Sequence, residues 1–256
     1  MIRAIVWDVD GTLAETEHDG HRVAFNHAFE AMGLPWRWDE AHYGALLRIT
    51  GGRERLLHDM ARRSDAPVLA DERIALAHEL HRRKTARYAE LMRERPTPLR
   101  DGVRELIDAA LADGWRMAIA TTTSRANVAA LLGHHFGTPW SRVFEAVVCG
   151  EDVRHKKPDP EVYQRCLQVL ALEPTEAVAI EDSPGGVAAA QAAGVPVVVT
   201  RSHYFADAPI DAAVAIGPGL HTREGWRPAL QRGPGGVGVD DLRHWCMQME
   251  SVSHLP

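Results

Sequence analysis

Short apolar runs that each stop at a residue able to do chemistry constrain this chain most. Ile2 to Trp7 is a short, mostly apolar and β-rich run that ends at Asp8. Trp115 to Ala120 ends at Thr121, Val178 to Ile180 ends at Glu181-Asp182, and Ala146 to Cys149 is soon followed by Lys157. Runs this short, without polar alternation, read as strands buried on both faces. Val195 to Thr200 is a further strand, and Ala212 to Ile216 a candidate last one. Helical patterns separate them: Gly102 to Ala112, Ser124 to Leu132, Pro184 to Ala193, and a helix capped by Asp159, with Pro160 in its first turn, running to Leu170. Strand and helix in alternation predict an α/β fold with a doubly wound, mostly parallel sheet. Ligands of such sheets bind at the carboxyl ends of the strands, where the residues named above fall.

Residues 16–95 break the alternation. They hold helical patterns over His21 to Met32, Asp39 to Arg48, Glu54 to Arg63 and Asp71 to Arg95, with little strand signal. Inserted directly after the first strand, this block is expected to be a helical-bundle cap over the site. The expected division is a core of residues 1–15 and 96–256 and a cap of 16–95. A chain of 256 residues is long enough for both. Residues 217–238, rich in glycine and proline without periodicity, read as a mobile surface loop before a short C-terminal helix from Asp240.

A net charge of −6 argues against nucleic acid as the partner, though not against a phosphate held by a few local cations. The three cysteines, Cys149, Cys166 and Cys246, have no metal-ligand spacing and read as buried, reduced thiols. No run of about 18 apolar residues exists, so no membrane span is expected. The N-terminal apolar run is too short for a signal peptide. A bacterial cytoplasm, or a plastid stroma after removal of a transit peptide, is the expected compartment, with the chain a monomer.

Asp8-Val9-Asp10-Gly11-Thr12 is the strongest signal. Carboxylates at i and i+2 of an extended segment point to opposite sides, and converge only if the chain turns, which Gly11 permits. Converging carboxylates repel, and Mg²⁺, a hard ion held by one or two carboxylates, waters and phosphate, relieves that. Glu181 and Asp182 at a second strand end can complete a metal site. Lys157 can neutralise a phosphoryl group. Thr121-Thr122-Thr123-Ser124, entering a helix, can cradle one. Each feature alone is equally a turn, a cap or a solvated surface pair. Their shared position at strand carboxyl ends is what makes them a set.

Those four groups, in this order along the chain, resemble the motifs of the haloacid dehalogenase superfamily. The resemblance implies that Asp8 is a nucleophile that becomes an aspartyl phosphate, and that Asp10 is the general acid and base. Thr121 and Thr122 would hold the phosphoryl group and Lys157 would stabilise its charge. Mg²⁺ would be bound by Asp8, Asp10 through its backbone carbonyl, and Asp182, with Glu181 in support. The second aspartate argues against a true dehalogenase, since family dehalogenases lack it. More narrowly, the stretches DVDGTLAETE, HRVAFN, PWRWD, TGGRER and IATTTS are similar to the CbbY-like branch. That branch implies a sugar-phosphate substrate, most specifically xylulose 1,5-bisphosphate converted to xylulose 5-phosphate.

In the cap, Thr50-Gly51-Gly52-Arg53 offers a tight loop and a guanidinium able to clamp a second phosphate. Gly52 and Arg53 are therefore candidate substrate contacts. Glu15, His21 and Tyr43 are candidates for sugar hydroxyls, and Ser124 and Arg125 for the distal phosphate. Packing or a surface ion pair is the alternative for these cap residues. Two other functions stay open: a sugar phosphomutase of β-phosphoglucomutase type, and a phospho-accepting receiver module, which the cap and Asp10 disfavour.

Overall fold

The computed structural model describes residues 1–230, 233 and 235–252, with the side chains of 249–252 left aside. Six strands form one parallel sheet: β1 (Ala4–Trp7), β2 (Arg116–Ala120), β3 (Phe144–Val148), β4 (Ala177–Glu181), β5 (Val197–Thr200) and β6 (Ala215–Gly217). Their order is β3-β2-β1-β4-β5-β6, and every pairing is parallel. β1 therefore sits inside the sheet with both backbone edges paired.

Alternate residues of one strand feed two different cores, as the period of two demands. Ile5 and Trp7 point into a core beneath α5 (Val103–Ala112), α6 (Arg125–Phe136), the short α7 (Trp140–Val143) and the C-terminal α10 (Val239–Val252). Ala4 and Val6 point into a core beneath α8 (Glu161–Leu170) and α9 (Pro184–Ala192). Burial on both faces is why the central β1 is continuously apolar.

Between β1 and β2 the chain makes a π-helical turn (Glu17–His21), then α1 (Arg22–Ala31), α2 (Glu40–Leu46), α3 (Gly52–Met60) and the 25-residue α4 (Ala70–Glu94). This helical block has its own core, in which Phe25, Phe29, Trp36, Trp38, Tyr43, Leu56 and Leu80 pack together. Trp36 and Trp38 carry that packing, as their spacing among apolar residues suggests. On α4, Ala77, Leu80, Lys84 and Tyr88 form one buried stripe at helical spacing. Asn26 ties the block internally by exchanging hydrogen bonds with the Trp38 backbone, at 2.9 and 2.8 Å.

Four sequence expectations need correction. The last strand starts later, at Ala215, because Ala212 has φ of 60° and the chain turns there. Asp159 does cap α8, accepting from the Glu161 N–H at 3.0 Å, but Pro160 is the N-cap residue and the helix starts at Glu161. The stretch 217–238 is no free loop where it is described. Leu220, Trp226 and Val237 are buried, Trp226 packs on Trp245 with ring centroids 4.7 Å apart, and Ile216 and Arg227 exchange backbone hydrogen bonds. Three well-spaced apolar side chains suffice to anchor the segment although no periodicity announces them. Gln231, Arg232 and Pro234 lie outside the described residues. The C-terminal helix is also longer than expected, at 14 residues.

Candidate active site

The carboxyl ends of β1, β2 and β4 open into a cavity of about 760 Å³ roofed by the helical block. Asp8, Asp10, Thr121, Thr122, Lys157 and Asp182 line it from below, and Gly51, Gly52, Arg53, His78, His81 and Arg82 from above.

At the floor, Lys157 is fully enclosed. Its Nζ donates to Asp8 Oδ1 at 2.7 Å, to Glu181 Oε1 at 2.6 Å and to the Ala120 carbonyl at 2.8 Å. Tyr163 donates its hydroxyl to the same Glu181 oxygen at 2.6 Å. Ser183 Oγ and the Asp182 N–H reach Oε2 at 3.4 and 3.3 Å. Glu181 thus spends both oxygens on holding the lysine and the turn into α9, which fits a supporting role better than direct ligation. Burial pushes the Asp8 carboxyl upward, with Glu181 and Asp10 adding to the effect and Lys157 opposing it. Asp182 is raised by burial, then by Asp8 and Glu181. Ser202 Oγ donates to Asp182 Oδ2 at 2.6 Å.

Ligand oxygens of Asp8, Glu181 and Asp182 lie within 4.8 Å of one another in a buried cluster. Carboxylates crowded and buried in this way repel one another, and a cation beside them relieves that repulsion. An all-oxygen donor set of this kind fits Mg²⁺. Gly11, with φ of 89°, makes the turn possible, and a Cβ there would fall 2.1 Å from Asp182 Oδ2. Only glycine lets the Asp10–Thr12 loop lie against that carboxylate.

Asp10 faces the other way, toward the helical block. Thr16 Oγ1 donates to its Oδ1 at 2.5 Å, and His21 Nε2 lies 2.9 Å from the same oxygen. His21 Nδ1 is 2.8 Å from Lys84 Nζ, which is buried in α4. With Lys84 donating, Nδ1 must accept, so Nε2 carries the proton and donates to Asp10. Burial alone would raise the Asp10 carboxyl, but His21, Thr16 and Lys84 outweigh it and hold it well below the usual range. Burial lowers Lys84 to about 8.

Arg53 Nη1 lies 3.5 Å from His78 Nδ1 and makes no ion pair among the described residues. Beside it, Lys156 donates to both oxygens of Glu54, at 2.7 and 2.9 Å, joining core to helical block. Gly51, with φ of 97°, leaves room for this pair, since a Cβ would meet Glu54 Oε2 at 2.2 Å and Lys156 Nζ at 2.6 Å.

Not every expected contact faces the cavity. His21 lines it, but Asp10 and Lys84 occupy both its nitrogens. Tyr43 is fully buried among Phe25 and Trp38; its hydroxyl donates to Glu17, which does reach the cavity. Glu15 lies on the outside, accepting from the His203 N–H and pairing with Arg100 at 3.4 Å. Arg125 turns away to Asp152 and the Val147 carbonyl, because those groups close the loop beside α6. Ser124 lines the cavity while its Oγ caps α6 at the Asn127 N–H.

Sequence reasoning missed Thr16, Glu17, Arg55, His81, Lys84, Lys156 and Tyr163. Lys84 did leave a signal, a lysine in the apolar stripe of a helix. Arg55 donates to the Ile49 carbonyl at 2.9 Å and pairs with Glu17 at 3.3 Å.

Residues 2–194 match the family model described as haloacid dehalogenase-like hydrolase. This chain belongs to that family. Family and relatives together make it an enzyme of the phosphatase type, and Asp8, Asp10, Lys157 and Asp182 stand together under its roof. Among relatives, protein CbbY of Rhodobacter capsulatus is 48% identical over 79% of this chain and 87% of its own length. A plasmid-borne CbbY of Cupriavidus necator is 40% identical over 95% of this chain and 96% of its own. A crystal structure of a CbbY mutant from Rhodobacter sphaeroides in complex with xylulose-(1,5)bisphosphate superposes with a TM-score of 0.78 at 41% identity, covering 83% of this chain and 92% of that one. A β-phosphoglucomutase from Clostridium difficile, at 16% identity and a TM-score of 0.71, shares the fold. Among the described residues, no helix is long and apolar enough to cross a membrane.

Proposed function

We propose that the chain is a Mg²⁺-dependent sugar-bisphosphate phosphatase that converts xylulose 1,5-bisphosphate to xylulose 5-phosphate. Residues 16–95 would act as a closing cap. The observation that carries this reading is a cavity with anion-binding groups at both ends. Lys157 and Thr121 lie at the floor, and Arg53, without an ion-pair partner among the described residues, lies at the roof. The similarity to a CbbY seen with that sugar bisphosphate supports this choice of substrate.

Asp8 and Asp182, with the Asp10 carbonyl, would hold Mg²⁺, which supplies charge neutralisation to the phosphoryl oxygens. Asp8 attacks phosphorus, and the ester P–O bond breaks as the leaving oxygen takes a proton from Asp10. A phosphate dianion arriving beside Asp10 raises that carboxyl and so favours the protonated form. Water then attacks the aspartyl phosphate, Asp10 takes its proton, and inorganic phosphate leaves with Asp8 restored. Lys157 stabilises the charge that develops at Asp8 and the phosphoryl group. Thr16, His21 and Lys84 aim Asp10, and all three belong to the proposed cap.

Phosphate release from a panel of sugar mono- and bisphosphates, with Mg²⁺ or EDTA, tests this. Selective, Mg²⁺-dependent release from xylulose 1,5-bisphosphate is expected. Isomerisation of a sugar monophosphate without phosphate release, restored by added bisphosphate, would instead make the chain a mutase.

A further inference from the structure

Away from the cavity, two histidines and a glutamate meet at the seam between helical block and core. His18 lies in the π-helical turn, Glu40 opens α2, and His203 lies in the loop after β5. Glu40 Oε1 is 2.6 Å from His203 Nε2, and its Oε2 is 3.3 Å from His18 Nε2. One donor atom from each residue lies within 4.8 Å of the others. Nothing in the phosphatase chemistry uses them.

The surroundings orient these groups as a metal site needs. His18 Nδ1 is 2.6 Å from Asp19 Oδ1, which fixes the tautomer and leaves Nε2 facing Glu40. The His203 N–H is held by the Glu15 carboxylate at 3.3 Å, which accounts for the outward position of Glu15. The His203 ring packs edge-on against Tyr204 at 5.0 Å and against His18 at 5.2 Å. Tyr204 in turn packs against Tyr43 of the helical block at 5.9 Å.

We propose that His18, Glu40 and His203 bind a divalent transition-metal ion of the Zn²⁺ class, which tethers the helical block to the core. Two imidazoles and one carboxylate suit Zn²⁺, Ni²⁺ or Co²⁺ and leave one position for water. Mg²⁺ prefers oxygen ligands and does not compete there. His203 belongs to the core, and the other two ligands to the block. Opening the block pulls them apart, so a bound ion opposes opening and slows product release.

Zn²⁺ binding to the full chain, measured by equilibrium dialysis in excess Mg²⁺, tests the site. His203→Ala and Glu40→Ala serve as variants, since both side chains are half exposed and outside the cavity. The wild type is expected to take up Zn²⁺ at a site that each substitution weakens by about 100-fold or more. With saturating Mg²⁺, Zn²⁺ is expected to inhibit wild-type turnover, and either substitution to relieve it. No uptake by the wild type overturns the site. Uptake unchanged in both variants overturns it too, and assigns the ion to the acids around Asp8. Weakened binding with inhibition undiminished overturns the tether.

Discussion

Replacing Lys157 by methionine keeps the length of the side chain and removes its charge. Three contacts go at once: Asp8 at 2.7 Å, Glu181 at 2.6 Å and the Ala120 carbonyl at 2.8 Å. Two buried acids are then left facing each other. Removing one partner of a buried pair costs about 3–5 kcal/mol. A second route gives a similar size, since protonating one buried carboxyl at pH 7.5 against its ordinary value costs about 4 kcal/mol. For a chain of this length that lowers Tm by roughly 6–20 °C. The sign with pH follows. In the variant a proton must replace the ammonium group, so the folded state binds more protons than the unfolded one, and stability falls as pH rises. The deficit against wild type is therefore smaller at pH 5 than at pH 8. Thermal unfolding of both proteins in EDTA across that range is the assay. A Tm within about 2 °C of wild type at pH 8 would refute the account of the floor. Turnover should fall by at least about 100-fold, as expected for a lost electrostatic stabiliser.

Asp8→Asn is expected to lower kcat by at least about 10⁴-fold in phosphate release, and retained turnover removes the nucleophile. Arg53→Ala should raise KM at least tenfold more for a sugar bisphosphate than for nitrophenyl phosphate, and an equal effect on both removes the distal clamp. Burial, then Lys84, Lys156 and Arg53, hold His81 down to about 3. Its contribution to stability is thus present above about 6.5 and is lost as pH falls toward 3. Its NMR signal should show no titration between pH 5 and 8 in the free protein, and inorganic phosphate in the cavity should move it upward; a midpoint near 6.5 contradicts this. Trp226→Ala empties a buried site against Trp245 and should cost about 3–5 kcal/mol in urea unfolding with kcat/KM unchanged, whereas a cost below about 1 kcal/mol shows the segment to be loosely held.

The parallel sheet was legible because strands buried on both faces leave unbroken apolar runs, and because parallel strands put their carboxyl ends on one edge. That edge made Asp8, Thr121, Lys157 and Asp182 readable as a group before any coordinates. The roof was less legible. Whether Tyr43 or Glu17 meets the cavity depends on how α2 is rotated against Phe25 and Trp38, and spacing alone does not set that rotation. Arg125 and Glu15 sit next to motif residues in sequence, yet each is drawn outward by a partner distant in sequence or on the neighbouring loop: Asp152 for one, the His203 N–H and Arg100 for the other. The segment 217–238 was misread because its anchoring residues follow no period.

Of the six strands, β1, which ends beside Asp8, is made first, yet it lies third in the sheet. Its partners are residues 116–119 on one side and 177–180 on the other. Until residues 177–180 have been made, β1 has at most one neighbour, and its apolar run waits exposed or in transient contacts. Pairings so distant in sequence make for slow folding and a period open to aggregation. The helical block, built from one continuous stretch between β1 and β2, can form meanwhile. Biosynthesis would then assemble the roof before the floor, and Glu181 and Asp182, which complete the buried acid cluster, would join Asp8 and Lys157 only when β4 arrives.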